Sequence, residues 1–306
     1  MSLTVRKSQT RRSKRAAALS FGLLIGCVFP LSGVDCLADI RPADMRARPA
    51  SPEEEARGRA LLASSARQYG SAKDYLTGGH ARAVFSDSWK APLSRAVAMH
   101  WDENEQNMEI HWRPGSDVAR LRVLDGKARG KSFGLTGSGG AYEKTGPGEP
   151  IRIVENRHYR FALPTVIYFL EFPFRIQSAE IVRHIGERVV DGTPYDLVFV
   201  SWGSEAPQAA KDQYIVYINR ATGLMDRLHY TIREKFRFST AACLYSNYET
   251  VNGILMPRTM TLVGAPEPEQ ASLFSRFITS DGVFHEMHFT EIELGVSLPP
   301  AYLEPE

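Results

Sequence analysis

Two-residue turn signals between β-rich runs constrain the fold of this chain more than any other feature of its sequence. Five such pairs end one run and precede the next: Asp125-Gly126, Asp191-Gly192, Thr222-Gly223, Asn252-Gly253 and Asp281-Gly282. Pairs of this kind adopt the positive φ angles that tight hairpin turns require. The stretches between the runs are too short for the crossover helices of a parallel sheet. The sequence therefore predicts an antiparallel meander.

The N-terminus has the pattern of a secretory signal. A basic cluster at residues 6–15, with six lysines and arginines, is followed by a mostly apolar stretch, Ala16–Val34. Cys36 and Ala38 place small side chains at the −3 and −1 positions of a cleavage site. We therefore predict that residues 1–38 are a signal peptide and that the rest of the chain works in the periplasm.

Two other interpretations of the N-terminus stay open. The segment Leu24–Cys27 resembles a bacterial lipobox, in which Cys27 would be lipidated and become the mature N-terminus. The same apolar stretch is just long enough for an uncleaved membrane anchor. A retained Cys36 would allow a disulfide with Cys243 in an oxidising compartment, whereas Cys243 alone is expected to be a small buried hydrophobic residue.

Charge and cysteine content exclude several classes of protein. The formal net charge is +2, but residues 1–38 hold six basic side chains and one acidic one. The rest of the chain therefore has a net negative charge and is a poor electrostatic partner for nucleic acid. The three cysteines include no Cys-x-x-Cys pair, which argues against a disulfide scaffold and a structural zinc site.

Two helices are expected beside the sheet. Residues 39–50 have the composition of a linker. Ser51 and Glu54 supply the two halves of a capping box, so we predict an opening helix over residues 51–70. The nearly all-apolar segment Phe161–Phe174 is predicted to be a second, inserted helix. A helix that is apolar all round must be surrounded, and we expect it to lie against the concave face of the sheet.

Short motifs that resemble catalytic or ligand sites lack the required context. Residues 125–132 come close to a phosphate-binding loop, but the glycine-rich sequence after them cannot begin the helix that holds the phosphate. His285 and His288 point to opposite faces of the predicted strand, so they cannot converge on zinc. No nucleophile, base or carboxylate pair has catalytic spacing. We therefore predict that the protein is not an enzyme and uses no metal or cofactor.

Three segments carry a resemblance to a known family. They are Tyr195–Val200, Tyr214–Leu228 with its Thr-Gly turn, and Tyr248–Pro257 with the sequence Gly-Ile-x-x-Pro. Together they resemble the outer-membrane lipoprotein-sorting (LolA-like) superfamily over roughly residues 95–265. The resemblance implies an unclosed β-barrel wrapped around helices, with a hydrophobic cavity that binds acyl chains or other apolar ligands in the envelope.

These observations lead to one interpretation and two alternatives. We predict an α+β protein in which residues 51–306 form a single domain, a strongly curved antiparallel sheet (an unclosed barrel) around one or two helices. Its ligand would be a lipid or other hydrophobic small molecule, with an envelope protein and the membrane surface as further contacts. The alternatives are a non-catalytic periplasmic scaffold whose aromatic side chains fill the core, and an enzyme with a site assembled from distant residues. The candidate cavity residues are Val166, Tyr168, Phe169, Phe172, Phe174 and Trp202.

Overall fold

The computed structural model describes residues 37–91, 103–146, 148–155, 157–234, 236–264, 282–299 and 302–303. Most of the predicted signal peptide, including Cys27 and Cys36, lies outside these residues, so its cleavage and lipidation stay predictions. The turn pair at residues 281–282 is described only at Gly282.

A 13-stranded antiparallel sheet forms the body of the molecule. Its strands are β1 His80–Trp89, β2 Glu105–Trp112, β3 Ala119–Val123, β4 Ser132–Leu135, β5 Ala141–Lys144, β6 Arg152–Val154, β7 Ile181–Val190, β8 Thr193–Ser201, β9 Tyr214–Asn219, β10 Met225–Ile232, β11 Phe236–Val251, β12 Ile254–Val263 and β13 Val283–Val296. The spatial order runs β6-β5-β4-β3-β2-β1-β13-β12-β11-β10-β9-β8-β7, so β6 and β7 are its two edges. The predicted unclosed antiparallel sheet is confirmed.

Five α-helices accompany the sheet in the described part of the chain: α1 Ala43–Ala47, α2 Pro52–Gln68, α3 Ala72–Thr77, α4 Arg157–Leu170 and α5 Phe172–Arg175. A 3₁₀ turn, Ile176–Ser178, follows α5. Among these helices we find none that is both long and apolar enough to span a membrane.

The hairpin turns have the backbone that their sequences predict. Asp191 and Gly192, between β7 and β8, have φ angles of 50° and 80°. Asn252 and Gly253, between β11 and β12, have 49° and 80°. Two successive positive φ angles give the turn a twist that matches the twist of the flanking strands. These two residue pairs therefore set the registers of their hairpins.

Helix α4 shows that the sheet curves strongly. Tyr159 near its start packs on Phe133 of β4, with ring centres 4.4 Å apart, and Phe169 near its end packs on Tyr230 of β10 at 5.0 Å. In a flat sheet, strands seven positions apart would be separated by about 34 Å. Ten residues of helix span about 15 Å. Strands β4 and β10 can both contact α4 only because the sheet wraps around it.

The segment expected to be a linker, residues 39–50, packs against the body. It contains helix α1, and its side chains Ile40 and Met45 are buried on the outer face of β8 and β9 beside Leu197 and Phe199. Residues 195–200 of β8 are buried on both faces, so the outer face needs a cover. Leu37–Glu306 accordingly forms one compact unit that includes residues 39–50.

Helix α2 begins where the capping box places it. The Ser51 hydroxyl accepts from the Glu54 amide at 3.2 Å, and the Glu54 carboxylate accepts from the Ser51 amide at 3.0 Å. Gly58 faces β7 so closely that a Cβ there would lie 2.9 Å from the backbone nitrogen of His184. A larger residue would therefore push the helix off the sheet.

The apolar helix differs from its predicted bounds of 161–174. It starts earlier, at Arg157, and is interrupted at Glu171. The buried Glu171 carboxylate accepts from the Tyr75 hydroxyl at 2.8 Å, the Trp112 indole at 2.9 Å and the Gly115 amide at 3.1 Å, and it pairs with Arg175 at 2.6 Å. This network ties α4 and α5 to α3 and β2, because Tyr75 lies on α3, Trp112 on β2 and Arg175 on α5.

Candidate functional site

A cavity of about 440 Å³ lies between helix α4 and the concave face of the sheet. This volume is within the range of small-molecule sites, roughly 300–1,000 Å³. The side chains that form the cavity come from α4 and α5 and from strands β1, β9, β10, β11, β12 and β13, with contributions from the connecting loops. They are Phe85, Asp87, Trp89, Asp117, Arg160, Phe161, Ala162, Pro164, Thr165, Val166, Tyr168, Phe169, Arg175, Asp212, Tyr214, Tyr230, Thr231, Ile232, Glu234, Thr240, Ala241, Leu262, Phe284, His285 and Met287.

Most of the cavity wall is apolar. Val166 and Phe169 project from α4, while Phe85, Leu262 and Met287 come from the sheet. Strand β1 shows how the sheet supplies this wall, because its buried and less buried residues alternate along the strand. Alternation puts one set of side chains on the concave face and the other on the outer face. The wall can therefore take up a hydrocarbon chain.

The three exposed charged residues of the cavity wall mark its opening. Asp117, Arg160 and Glu234 are exposed to solvent. Arg175 extends inward from this rim, where it pairs with Asp117 at 2.8 Å as well as with Glu171. Charged side chains therefore surround the mouth of a cavity whose wall is mostly apolar.

A polar cluster from β1 and β13 interrupts the apolar wall. The Trp89 indole donates to Asp87 at 3.0 Å, and His285 forms a short hydrogen bond with the other oxygen of Asp87. The His285 ring also stacks on the Trp89 ring, with centres 4.0 Å apart. Trp89 and His285 are register partners in the β1–β13 pairing, which places these three side chains together.

Asp212 forms a second polar position in the wall. Its Oδ1 atom accepts from the Thr231 hydroxyl at 2.9 Å and from the Arg233 amide at 2.8 Å. Burial raises the pKa of this carboxyl, although the two hydrogen bonds and the nearby Arg233 charge oppose the effect. Asp212 is therefore a carboxylate whose negative charge is only partly compensated by the protein.

The two histidines of the His-x-x-His sequence behave as strand geometry predicts. His285 faces the cavity, whereas His288 is exposed and bonds to Thr259 at 3.1 Å. Within the described residues, no group of three histidine, cysteine, aspartate or glutamate side chains could hold a metal ion. The phosphate-loop-like residues 125–132 lead into strand β4 and not into a helix.

Cys243 has no reactive environment. It is fully buried on β11, as the sequence predicts for a lone cysteine. Burial raises the pKa of its thiol to about 12, so the nucleophilic thiolate is scarce at neutral pH. Its proposed disulfide partner, Cys36, lies outside the described residues, so that pairing stays a prediction.

The structure divides the six predicted cavity residues into two groups. Val166, Tyr168 and Phe169 line the cavity. The other three, Phe172, Phe174 and Trp202, are not among the lining residues and pack against side chains around the cavity. Phe172 is fully buried against Tyr214 at 5.6 Å, Phe174 stacks on Tyr75 at 5.0 Å, and Trp202 meets Tyr214 edge-on at 6.0 Å.

Sequence reasoning missed the contribution of the sheet to the cavity. Tyr214 and Tyr230 lie on strands β9 and β10, either side of the predicted Thr222-Gly223 turn, and Asp212 lies two residues before β9. The signal that could have found them is alternation, because Leu228 and Tyr230 share one face of β10. Strand periodicity alone does not say which face is concave.

Comparison with known proteins adds information about the fold. No protein-family model matches the chain, and no curated protein matches it. A DUF1329 family protein from Desulfovibrio piger has a similar structure, with a TM-score of 0.53, 13% identity and coverage of 82% of this chain and 98% of that one. A LolA superfamily protein from Nitrosomonas europaea gives a TM-score of 0.48, 9% identity and coverage of 79% and 94%. The Desulfovibrio piger structure shows the fold that this chain shares.

Proposed function

We propose that this protein is a non-enzymatic envelope protein that binds the hydrocarbon chain of a lipid or other amphiphile in the cavity beneath helix α4. The observation that supports the proposal most directly is the cavity itself, about 440 Å³ in volume with walls that are mostly apolar. Each methylene group transferred from water into such a site contributes about 0.8 kcal/mol. A chain of ordinary lipid length would therefore bind without any covalent chemistry.

The periplasm is the proposed place of action. The basic cluster and apolar stretch of residues 1–38 support export, and cleavage after Ala38 would leave Asp39 as the first residue. Lipidation at Cys27 is the alternative, and it would hold the cavity near a membrane surface. An envelope protein that delivers or removes the ligand is the proposed partner.

The test uses a bulky residue inside the cavity and the same residue on the surface. Thr165 lines the cavity from α4, whereas Thr222 is exposed in the turn between β9 and β10. We expect lipid-free protein to bind the uncharged fluorescent probe N-phenyl-1-naphthylamine saturably, and hexadecan-1-ol to displace it. Thr165→Trp should weaken binding of both compounds at least about tenfold, because the indole occupies the volume that the ligand needs.

The Thr222→Trp control should bind like the parent protein. Circular dichroism and melting curves of both variants establish that each is folded. Equal affinities for the parent and the Thr165→Trp variant, or no saturable binding by the parent, would overturn the proposal.

A further inference from the structure

One end of the cavity combines aromatic rings with a carboxylate. Tyr168, Tyr214 and Tyr230 line it together with Asp212, and we call these four residues the tyrosine–aspartate end. The ring centre of Tyr214 lies 6.0 Å from that of Tyr168 and 6.1 Å from that of Tyr230. The three rings therefore form a continuous aromatic wall next to a negative charge.

Within the described residues, Asp212 uses only one of its two carboxylate oxygens. Both hydrogen bonds, from Thr231 and from the Arg233 amide, go to Oδ1. No donor in the described part of the chain bonds to Oδ2. The Arg233 guanidinium donates instead to the backbone oxygen of Arg237 at 2.8 Å and to the side chain of Gln213 at 3.3 Å.

The other charges of the cavity add to this acidic character. Its wall holds four carboxylates (Asp87, Asp117, Asp212 and Glu234) and two guanidinium groups (Arg160 and Arg175). Arg175 is already engaged by Glu171 and Asp117. A ligand with an anionic head group would bring a further negative charge to this wall, and its removal from water would make the repulsion stronger.

The tyrosine rings are suited to a positive charge. The guanidinium carbon of Arg175 already lies 5.9 Å from the centre of the Tyr168 ring. Ring faces attract cations through their quadrupole, and aromatic walls beside a carboxylate are a common way to bind an organic ammonium group. The tyrosine–aspartate end offers both features in one place.

We propose that the cavity selects amphiphiles with an organic ammonium head group over those with an anionic one. The ammonium group would pair with Asp212 and contact the tyrosine faces, while its hydrocarbon chain would occupy the apolar remainder of the cavity. The inference rests on the proposed function, since it assigns a head group to the ligand of the same site.

Three amphiphiles with the same chain separate the head group from the chain. Dodecyltrimethylammonium and dodecyl sulfate, each below its micelle concentration, and dodecan-1-ol, below its solubility limit, compete with N-phenyl-1-naphthylamine for the parent protein. We expect the ammonium compound to bind at least about tenfold more tightly than the alcohol and the sulfate to bind most weakly.

Two matched variants test the role of Asp212. Asp212→Asn keeps an oxygen that can accept from Thr231 and the Arg233 amide but removes the charge, so it should abolish the tenfold preference for the ammonium compound over the alcohol. Asp191→Asn is the control, because Asp191 is 85% exposed in the β7–β8 turn, where its positive φ suits asparagine. This control should keep the parent preference.

The outcomes separate the two proposals. Equal binding of the ammonium compound and the alcohol by the parent protein, or tightest binding of the sulfate, overturns the head-group proposal and leaves chain binding intact. Retention of the preference by a folded Asp212→Asn variant overturns the role of Asp212. Failure of all three compounds to displace the probe overturns chain binding itself.

Discussion

The Asp212 carboxyl lies in a wall of aromatic side chains, and its ionisation makes the folded state less stable as the pH rises. Burial raises its pKa above the ordinary value of 3.8. For a carboxyl with a raised folded-state pKa, the stability contribution is fully present below the unfolded-state pKa. It is lost as the pH rises through the folded-state value.

Asp212→Asn should therefore gain stability relative to the parent as the pH increases. We expect the difference in Tm, variant minus parent, to be larger at pH 7 than at pH 4, because only the parent must ionise a buried group. Thermal melts followed by circular dichroism across this range provide the measurement. A difference that shrinks as the pH rises would contradict the account of Asp212 as an incompletely compensated charge.

Glu54 shows the opposite behaviour at the start of helix α2. Hydrogen bonds from Arg48 and the Ser51 amide, together with the charge of Arg183, lower its pKa from 4.5 to about 2. Its stabilising contribution is therefore present above the unfolded-state pKa and is lost as the pH falls from about 4.5 towards 2.

Replacement of Glu54 by glutamine should remove the loss of stability that protonation of Glu54 causes at low pH. Urea unfolding at pH 5 and at pH 3 should show a smaller loss of stability for Glu54→Gln than for the parent. Glu53→Gln, an exposed neighbour in the same helical turn, is the matched control and should follow the parent. If both variants lose as much stability as the parent, the capping carboxylate is not the source of the pH dependence.

At the scale of elements, the Glu171 network positions the helix that covers the cavity. Removal of the carboxylate leaves the Trp112 indole, the Tyr75 hydroxyl and the Arg175 charge without their shared acceptor. Breaking a buried pair in this way costs about 3–5 kcal/mol.

We therefore expect Glu171→Ala to lower the free energy of unfolding in urea by about 3–5 kcal/mol, and Glu171→Gln by less, because an amide oxygen still accepts. A folded Glu171→Ala variant should also bind the hydrophobic probe more weakly, since α4 forms one wall of the cavity. An alanine variant as stable as the parent would show that another contact holds α4 in place.

The elements also show what a sequence can and cannot predict. The hairpin turns at residues 191–192 and 252–253 could be predicted, because asparagine, aspartate and glycine are the residues that tolerate positive φ. Strands β5 and β6 could not be predicted, because they have only four and three residues and lie within or just after the glycine- and proline-rich residues 134–150. Helix α1 was missed because its burial depends on β8, whose outer face is apolar.

The cavity was harder to predict than the fold. Val166, Tyr168 and Phe169 could be found from the apolar helix, but Phe172 and Phe174 on the following turn pack as core. Trp202 also stands behind the wall, since it contacts Tyr214 edge-on. Which strand residues line the cavity depends on the direction in which the sheet curves, and alternation along a strand does not encode that direction.

At the scale of the whole molecule, the cavity follows from the curvature of the sheet around α4. Strand β10 contacts α4 through Tyr230, and β4 contacts it through Phe133. The helix therefore occupies the concave side, while β6 and β7 remain separate edges. Helix α4 does not fill the concave side of the curved sheet, so a cavity of about 440 Å³ remains between the helix and the strands.

Native mass spectrometry of the protein purified from its own cells tests this account most directly. The parent and the Thr165→Trp variant are compared before and after denaturing extraction. We predict that the parent carries one non-covalently bound amphiphile, that denaturation releases it for identification, and that the variant carries none. If the parent has only the mass of its polypeptide and takes up no added amphiphile, the cavity is not a binding site and the central claim is wrong.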